Sequence, residues 1–326
     1  MSKRHCKVEY TLLGKTDIKV SRLCLGGWQA SGWSTCSEQG FMAVINRALD
    51  LGINFIDTAE GYGNGLSETI IGKVIRERGC RDSVVIASKF SPNHCRAAQV
   101  RKSLEKTLKR LGTDYIDLYQ QHWPPANCSL LESIEELERL KEEGKIKAIG
   151  VSNWMEPEWE EIDNPARIDV LQPCYSLLWR PCEKKVLPLC HEHKIAVIPY
   201  SPLCQGILSG KYKSREDFPD DVRRQNRRLS REEFVEVKKV LSVLEEIAAF
   251  YDRTPAQTAL RWLLDNPVVT APIIGASRPA QVEDNCGALG WSLKRDDYKR
   301  LCEVSNALSL HLKPHDTLWN WHSRGR

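Results

Sequence analysis

The chain has 326 residues, 41% of them hydrophobic and 28% charged, which supplies a sizeable core and excludes global disorder. Its 47 Lys and Arg against 43 Asp and Glu leave a formal charge of +4, too small and too evenly spread for nucleic acid or an anionic membrane to be the principal partner. Mean hydropathy is −0.42, and the longest apolar stretches, such as residues 268–276, are half the length a spanning helix needs. The first ten residues carry charges with no apolar segment behind them, so no secretory signal is expected and the protein is expected to be cytoplasmic. The twelve cysteines contain no Cys-x-x-Cys pair and approach no closer than eight positions, too loose for zinc ribbons, iron–sulfur runs or redox pairs. They are expected to be reduced thiols packed as small apolar groups. His191 and His193 flank Glu192 on a helical stretch and read as a solvated face, so no metal is expected.

Residues 8–13 and 18–20 alternate around Gly14-Lys15-Thr16-Asp17 as a β-hairpin would, placed to plug the bottom of a barrel. Short apolar, β-branched runs then recur at 23–25, 54–56, 84–88, 116–120, 146–151, 170–172, 196–199 and 270–274. Amphipathic stretches separate them. Phe41, Val44, Ile45, Ala48 and Leu49 form one stripe, Val100, Leu104, Leu108 and Leu111 a second, Leu130, Ile134, Leu137 and Leu140 a third. Gly112 and Gly144 stand where helix caps belong. Successive strand ends near 57, 89, 121, 151, 172 and 200 lie 21 to 32 residues apart, the pitch of one strand plus one helix.

The longer gap from 200 to 274 holds an Arg-rich polar loop (220–231) and helical stretches at 232–251 and 255–264. It reads as an insertion (about 201–231) after the seventh strand, not as a second domain, and the loop as a solvated lid. An extra helix at 294–308 and a tail with Trp319 and Trp321 follow, within C-terminal additions spanning about 290–326, and the tail could fold over the mouth. The expected fold is α/β: a single-domain (β/α)8 TIM barrel over 1–326 with an N-terminal β-hairpin and additional C-terminal helices. An open doubly wound sheet is the rival, but no Gly-x-Gly-x-x-Gly follows the first strand, and Trp28 after Gly26-Gly27 would obstruct a pyrophosphate there.

In a barrel the chemistry sits where strands end. The second candidate strand ends at Asp57, with Tyr62 five residues on; the third ends at Lys89; the fourth ends before His122. An acid, a phenol, an amine and an imidazole thus come to one mouth. A carbonyl reduced by hydride needs a proton as its oxygen becomes an alkoxide, and a Tyr with pKa near ~10 holds one at neutral pH. A neighbouring Lys ammonium is expected to lower that phenol's pKa, Asp57 to balance Lys89, and His122 to hydrogen-bond the carbonyl oxygen.

The stretch Gly52-Ile-Asn-Phe-Ile-Asp57-Thr-Ala-Glu-Gly-Tyr62-Gly63, with Ile86-Ala-Ser-Lys89 and Gln120-Gln-His122-Trp-Pro124, resembles the aldo-keto reductase superfamily around its catalytic tetrad, and the likeness spans nearly the whole chain. The resemblance implies that Tyr62 is the general acid/base, that Lys89 and Asp57 tune it, and that His122 positions the carbonyl. It implies cofactor contacts at Ser152, Asn153 and Gln172 with the nicotinamide carboxamide, in the segment Tyr200-Ser201-Pro-Leu203 whose Tyr stacks on the nicotinamide ring, and along Gly206, Leu208, Gly210 and Lys211 with the pyrophosphate. Gly27 and Trp28, after the first strand, are further expected cofactor contacts, not assigned to a particular part of the nucleotide. Ile274, Gly275, Ser277, Arg278, Gln281 and Asn285 look like the adenosine end. There Gly275 lets the backbone turn, amides at a helix start favour an anion, and Ser277 and Arg278 suit a ribose 2′-phosphate, so NADPH is preferred over NADH. Trp28, Trp33, Tyr62, His122 and Trp123 are the expected substrate wall, with Trp179 a further aromatic near the mouth. The implied activity is reversible NADPH-dependent reduction of aldehydes or ketones. The alternative is an NADPH-binding regulatory module of the potassium-channel β-subunit type with slow catalysis.

Overall fold

The computed structural model describes residues 7–31, 36–125, 128–308, 312–313 and 315–324. Strands β1 (Tyr10–Leu12) and β2 (Lys19–Ser21) pair antiparallel, Tyr10 opposite Ser21. Eight parallel strands follow: β3 (Cys24–Gly26), β4 (Phe55–Asp57), β5 (Val85–Phe90), β6 (Ile116–Gln121), β7 (Ile146–Ser152), β8 (Val170–Gln172), β9 (Ala196–Val197) and β10 (Ile273–Ile274). They hydrogen-bond in the order β10-β3-β4-β5-β6-β7-β8-β9. The two ends meet where the Thr270 N–H donates to Val197 O and the Ile273 N–H to Pro199 O, both at 2.8 Å, which curls the sheet into a barrel. The seam strands are shorter than the expected 196–199 and 270–274. Pro199 and Pro272 have no N–H to give the ladder, and the Val197 N–H turns to the Thr270 hydroxyl at 3.3 Å.

Helices α1 (Glu38–Asp50), α2 (Leu66–Arg78), α3 (Ala97–Leu111), α4 (Leu130–Glu142), α5 (Glu156–Glu161), α6 (Val186–Glu192), α7 (Arg231–Phe250), α8 (Pro255–Leu264), α9 (Pro279–Cys286) and α10 (Arg295–Ser305) flank the sheet. The apolar stripes read from the sequence are the faces they bury, with Leu49 and Leu108 at the margins. Ser37 caps α1 by accepting the Gly40 N–H, and Gly112 ends α3 at φ +68°. Among the described residues no helix is long and apolar enough to cross a membrane, and no disulfide joins any two of the described cysteines.

Strand alternation sorts the residues that matter. Phe55, Val85, Ala87, Leu118, Ala148 and Val170 fill the barrel interior, and Leu13 and Val20 from the hairpin side close it from below. Two residues further along four of these strands, on the same inward face, come Asp57, Lys89, Gln120 and Gln172, with the bare backbone of Gly150 between the last two. The barrel therefore ends in a polar layer beneath its mouth.

The Arg-rich segment is not the solvated lid expected of it. It folds into short 3-10 turns, and Arg228 is 1% exposed. The Arg228 guanidinium donates to Leu178 O and Leu308 O at 2.8 Å and to Glu233 at 2.7 Å, and lies 4.8 Å over the Trp179 ring. Its planar fork of donors lets it serve two buried carbonyls and a carboxylate at once. Arg227 reaches the tail, its N–H on Leu318 O and its guanidinium on Asp316. The tail does fold over the mouth: Trp319 meets Trp28 edge-on at 5.6 Å, and Trp321 meets Trp123 at 5.0 Å.

Candidate active site

The polar layer and the loops above it enclose a cavity of about 1140 Å³. At its floor Lys89 is fully buried and its ammonium donates three hydrogen bonds: to Asp57 Oδ1 at 2.5 Å, to Thr58 O at 2.7 Å and to the Tyr62 hydroxyl at 3.3 Å. Tyr62 is brought back over the strand by a tight turn, its N–H on Ala59 O, and its ring meets His122 edge-on at 5.6 Å. His122 is held by its backbone, the N–H on Phe90 O and the carbonyl under the Asn153 amide at 3.0 Å. The four side chains expected at three neighbouring strand ends are thus together.

Their electrostatics differ from the expectation in one respect. Burial pushes the Tyr62 phenol above its ordinary value; the Lys89 ammonium pulls it down without prevailing, and Asp57 adds to the rise. The phenol is therefore not acidified and stays protonated at neutral pH. Burial works against the Lys89 charge too, but Asp57 and Tyr62 outweigh it and hold the ammonium above its usual range. Burial, then Lys89, drives His122 well below its usual value, so its imidazole is neutral.

Most of the remaining expected contacts line the same cavity: Gly27, Trp28 and Trp123 on one side, Ser152, Asn153 and Gln172 on another. Tyr200, Ser201, Leu203, Gly206 and Lys211 follow around the rim, then Gly275, Ser277, Arg278, Gln281 and Asn285. Three do not line it. Leu208 is fully buried in the outer core, Gly210 ends the turn over Cys204–Ser209, and Ile274 points outward by strand alternation while Ile273 faces in. Trp33 lies outside the described residues, and Trp179 is 2% exposed beneath Arg228.

Several of these groups already have protein partners. Asn153, at φ +62°, accepts the Tyr200 hydroxyl at 2.7 Å. The Tyr200 ring lies within 8° of parallel to Trp319, centroids 6.3 Å apart. Gln172 donates to Asp57 Oδ2 at 2.8 Å. At the far end the Ser277 and Arg278 N–H groups, expected to be open to an anion, both donate to Gln281 Oε1. The Arg278 side chain is exposed and has no ionic partner among the described residues.

Residues not foreseen complete the lining. Gln29 Oε1 and Gln205 Nε2 are buried at this cavity without a hydrogen-bond partner among the described residues, an acceptor and a donor open to a polar ligand. Gln29 packs so tightly over Gly275 that a Cβ there would come 2.0 Å from its Nε2. Ser201, Cys204, Gln205 and Gly206 all take positive φ, a concentration of unfavourable backbone at one rim. A nicotinamide dinucleotide fits this long cavity: unsatisfied amides along it, aromatic rings at one end, a hydroxyl and a guanidinium at the other. Beside it Glu158, His315 and His322 bring ligand-type atoms within 4.8 Å of one another. There, however, His322 Nδ1 accepts the Arg324 N–H, and Arg324 already answers the Glu158 charge at 3.3 Å, so the cluster fastens the tail to α5.

Comparison with known proteins agrees with this architecture. Residues 22–306 match the Aldo/keto reductase family model. Aldo-keto reductase YhdN of Bacillus subtilis (strain 168) is 37% identical over 304 residues, covering 90% of this chain and 92% of that protein. The NADH-specific methylglyoxal reductase of Escherichia coli (strain K12) is 34% identical over 321 residues, covering 91% and 98%. The structure of the glycerol dehydrogenase AKR11B4 from Gluconobacter oxydans superposes with a TM-score of 0.81 at 31% identity, covering 92% and 95%. The chain belongs to the aldo/keto reductase family, oxidoreductases built on a (β/α)8 barrel that use nicotinamide cofactors.

Proposed function

We propose that the protein is an NADPH-dependent reductase of small aldehydes or ketones, reversible, with Tyr62 as the general acid. The observation that carries this reading is the Lys89 ammonium, fully buried, held between Asp57 Oδ1 at 2.5 Å and the Tyr62 hydroxyl at 3.3 Å on the floor of the cavity. Bound, the reduced nicotinamide supplies hydride to the carbonyl carbon. Tyr62, protonated at neutral pH, gives its proton to the carbonyl oxygen; Lys89 stabilises the phenolate left behind, and Asp57 keeps that ammonium charged. His122 is neutral and donates its ring N–H to the same oxygen, fixing the carbonyl without adding a charge. Trp28, Trp123, Trp319 and Trp321 wall the mouth and offer a substrate an aromatic surface.

The preference for NADPH rests on Ser277 and the exposed Arg278 guanidinium, without an ionic partner among the described residues, a pair suited to a 2′-phosphate. The cysteines among the described residues are unbridged, which suits a reducing compartment, and we place the protein in the cytoplasm. A panel of small dicarbonyls, sugars and aromatic aldehydes, followed by nucleotide absorbance in both directions, tests the reading. Turnover with NADPH on at least one class is expected. No turnover with either nucleotide, and no nucleotide binding by fluorescence titration, overturns it.

A further inference from the structure

The polar layer holds one side chain for which the chemistry above has no use. Gln120, fully buried on β6, donates its amide to Asp57 Oδ2 at 3.2 Å. The Gln172 amide reaches the same oxygen at 2.8 Å and also Gln120 Oε1 at 3.2 Å. Asp57 Oδ1, the other oxygen, takes Lys89. The carboxylate is thereby gripped on both sides, with the ammonium on one oxygen and two amides on the other. It cannot rotate without giving up one set.

The neighbouring strand makes room for this. Gly150 pairs with Gln120 across β6 and β7. A Cβ at Gly150 would come 2.5 Å from Gln120 Cγ and 3.2 Å from its Oε1. The backbone there is ordinary strand, so the glycine is required for space and not for an unusual φ. A buried amide is costly unless bonded, and an apolar side chain would fill the same volume without that cost. What the amide adds at position 120 is its grip on Asp57 and on the orientation of Gln172.

We propose that Gln120 is a positioning residue for the proton transfer, seated by the bare backbone of Gly150 and acting through Asp57 to hold the Lys89 ammonium against the Tyr62 hydroxyl. The proposal rests on the oxidoreductase reading above. Gln120 is fully buried and does not line the cavity. It keeps Asp57 from swinging, and with it the ammonium on which the phenol depends.

Gln120→Met preserves volume and removes the amide. The expected variant binds NADPH within about twofold of wild type but has a kcat lower by about tenfold, the worth of one hydrogen bond to a charged group. The pH midpoint of alcohol oxidation, where Tyr62 acts as base, is expected to move upward, because the phenol loses part of its contact with the ammonium. Gly150→Ala is expected to reproduce the pattern by displacing Gln120, and it carries the same readout where Gln120→Met does not fold. Gln120→Ala combined with Gly150→Ala is expected to cost little more than Gln120→Ala alone, since the truncation removes the nearest group the new Cβ would strike and leaves only the flexible end of Leu118, at 3.0 Å. An unchanged kcat and midpoint in both single variants overturns the proposal. So does a loss of stability and nucleotide affinity with an unmoved midpoint, the mark of a packing role. Wild type and Tyr62→Phe turning over equally would sink the general-acid assignment instead, and is read separately.

Discussion

Tyr62→Phe removes one oxygen, and the structure shows what that oxygen touches. Of the three acceptors around the Lys89 ammonium the Tyr62 hydroxyl is the farthest, at 3.3 Å, against 2.5 Å for Asp57 and 2.7 Å for Thr58. Without it the ammonium keeps its counter-ion and a carbonyl, so the stability change should be about 1 to 2 kcal/mol, the low end for a hydrogen bond to a charged group, the bond lost being the longest of the three. The ring remains and keeps its edge contact with His122. The catalytic loss is of another order. A positioned general acid contributes about 10²–10⁴-fold, or roughly 3 to 5 kcal/mol of barrier. Lys89 would be a poorer target, because removing it strands a buried Asp57 without its cation and confuses folding with catalysis. The assay pairs initial rates of NADPH oxidation on the best aldehyde with nucleotide affinity by fluorescence and an unfolding curve. The expected result is a folded, nucleotide-binding protein with at most about one hundredth of wild-type turnover. A variant that keeps more than about a tenth of the rate, well above what loss of a general acid allows, refutes Tyr62 as the proton donor.

Two further outcomes are expected. Arg278→Ala should weaken NADPH binding by about tenfold, the scale of one charge-assisted contact to phosphate, and leave NADH nearly unchanged; equal losses for both nucleotides would show that the guanidinium does not read the 2′-phosphate. The second concerns pH. The His122 pKa is driven well below 6.5 in the folded protein, whereas the unfolded chain takes up a proton near that ordinary value. Unfolding therefore binds a proton below pH 6.5, and stability is lost as pH falls from there toward the folded value, with a slope of up to about 1.4 kcal/mol per unit from this group. Urea midpoints for wild type and His122→Gln should diverge in that window, and parallel pH slopes would remove His122 as the cause.

Much of the barrel is legible because each unit carries its own local signal. A β-branched run, a 3.6-residue stripe and a Gly or Ser cap each report on neighbours within a dozen residues, and α1, α3 and α4 bury the stripes their spacing announces. The seam is less legible. Residues 270–274 read as a full strand, yet Pro272 interrupts the ladder, and closure depends on hydrogen bonds between residues some seventy positions apart. Arg228 is hidden for a similar reason. Nothing beside it in sequence shows that Leu178 O, Leu308 O and the Trp179 face converge on its guanidinium. A run of arginines looks solvated until the fold supplies buried acceptors.

The site divides along the same line. Asp57, Tyr62, Lys89 and His122 are conspicuous because polar side chains stand where apolar strands end. Gln120 and Gln172 carry a weaker signal of the same kind, each lying two residues past an inward apolar neighbour. Gln29 and Gln205 carry none, since loop residues have no period to betray which way they face.

The sign of the Tyr62 shift shows what kind of fact a sequence withholds. An ammonium beside a phenol favours the phenolate, and that inference needs only the two residue types. Whether it wins depends on how much water has been removed, a property of the whole mouth. Here burial wins, and the ammonium recovers only part of what burial imposes. The consequence favours reduction. On the proposed reading, Tyr62 keeps its proton at neutral pH until a negative charge develops on the carbonyl oxygen, and the adjacent ammonium then stabilises the phenolate. Oxidation starts from that phenolate, so its rate should keep rising into the alkaline range while reduction is already at its plateau. In the polar layer Lys89 does not make a strong acid. If Tyr62 is the donor, as proposed, the ammonium lowers the cost of losing the proton at the moment of transfer, and Asp57, bonded to it at 2.5 Å, keeps its charge in place for that step.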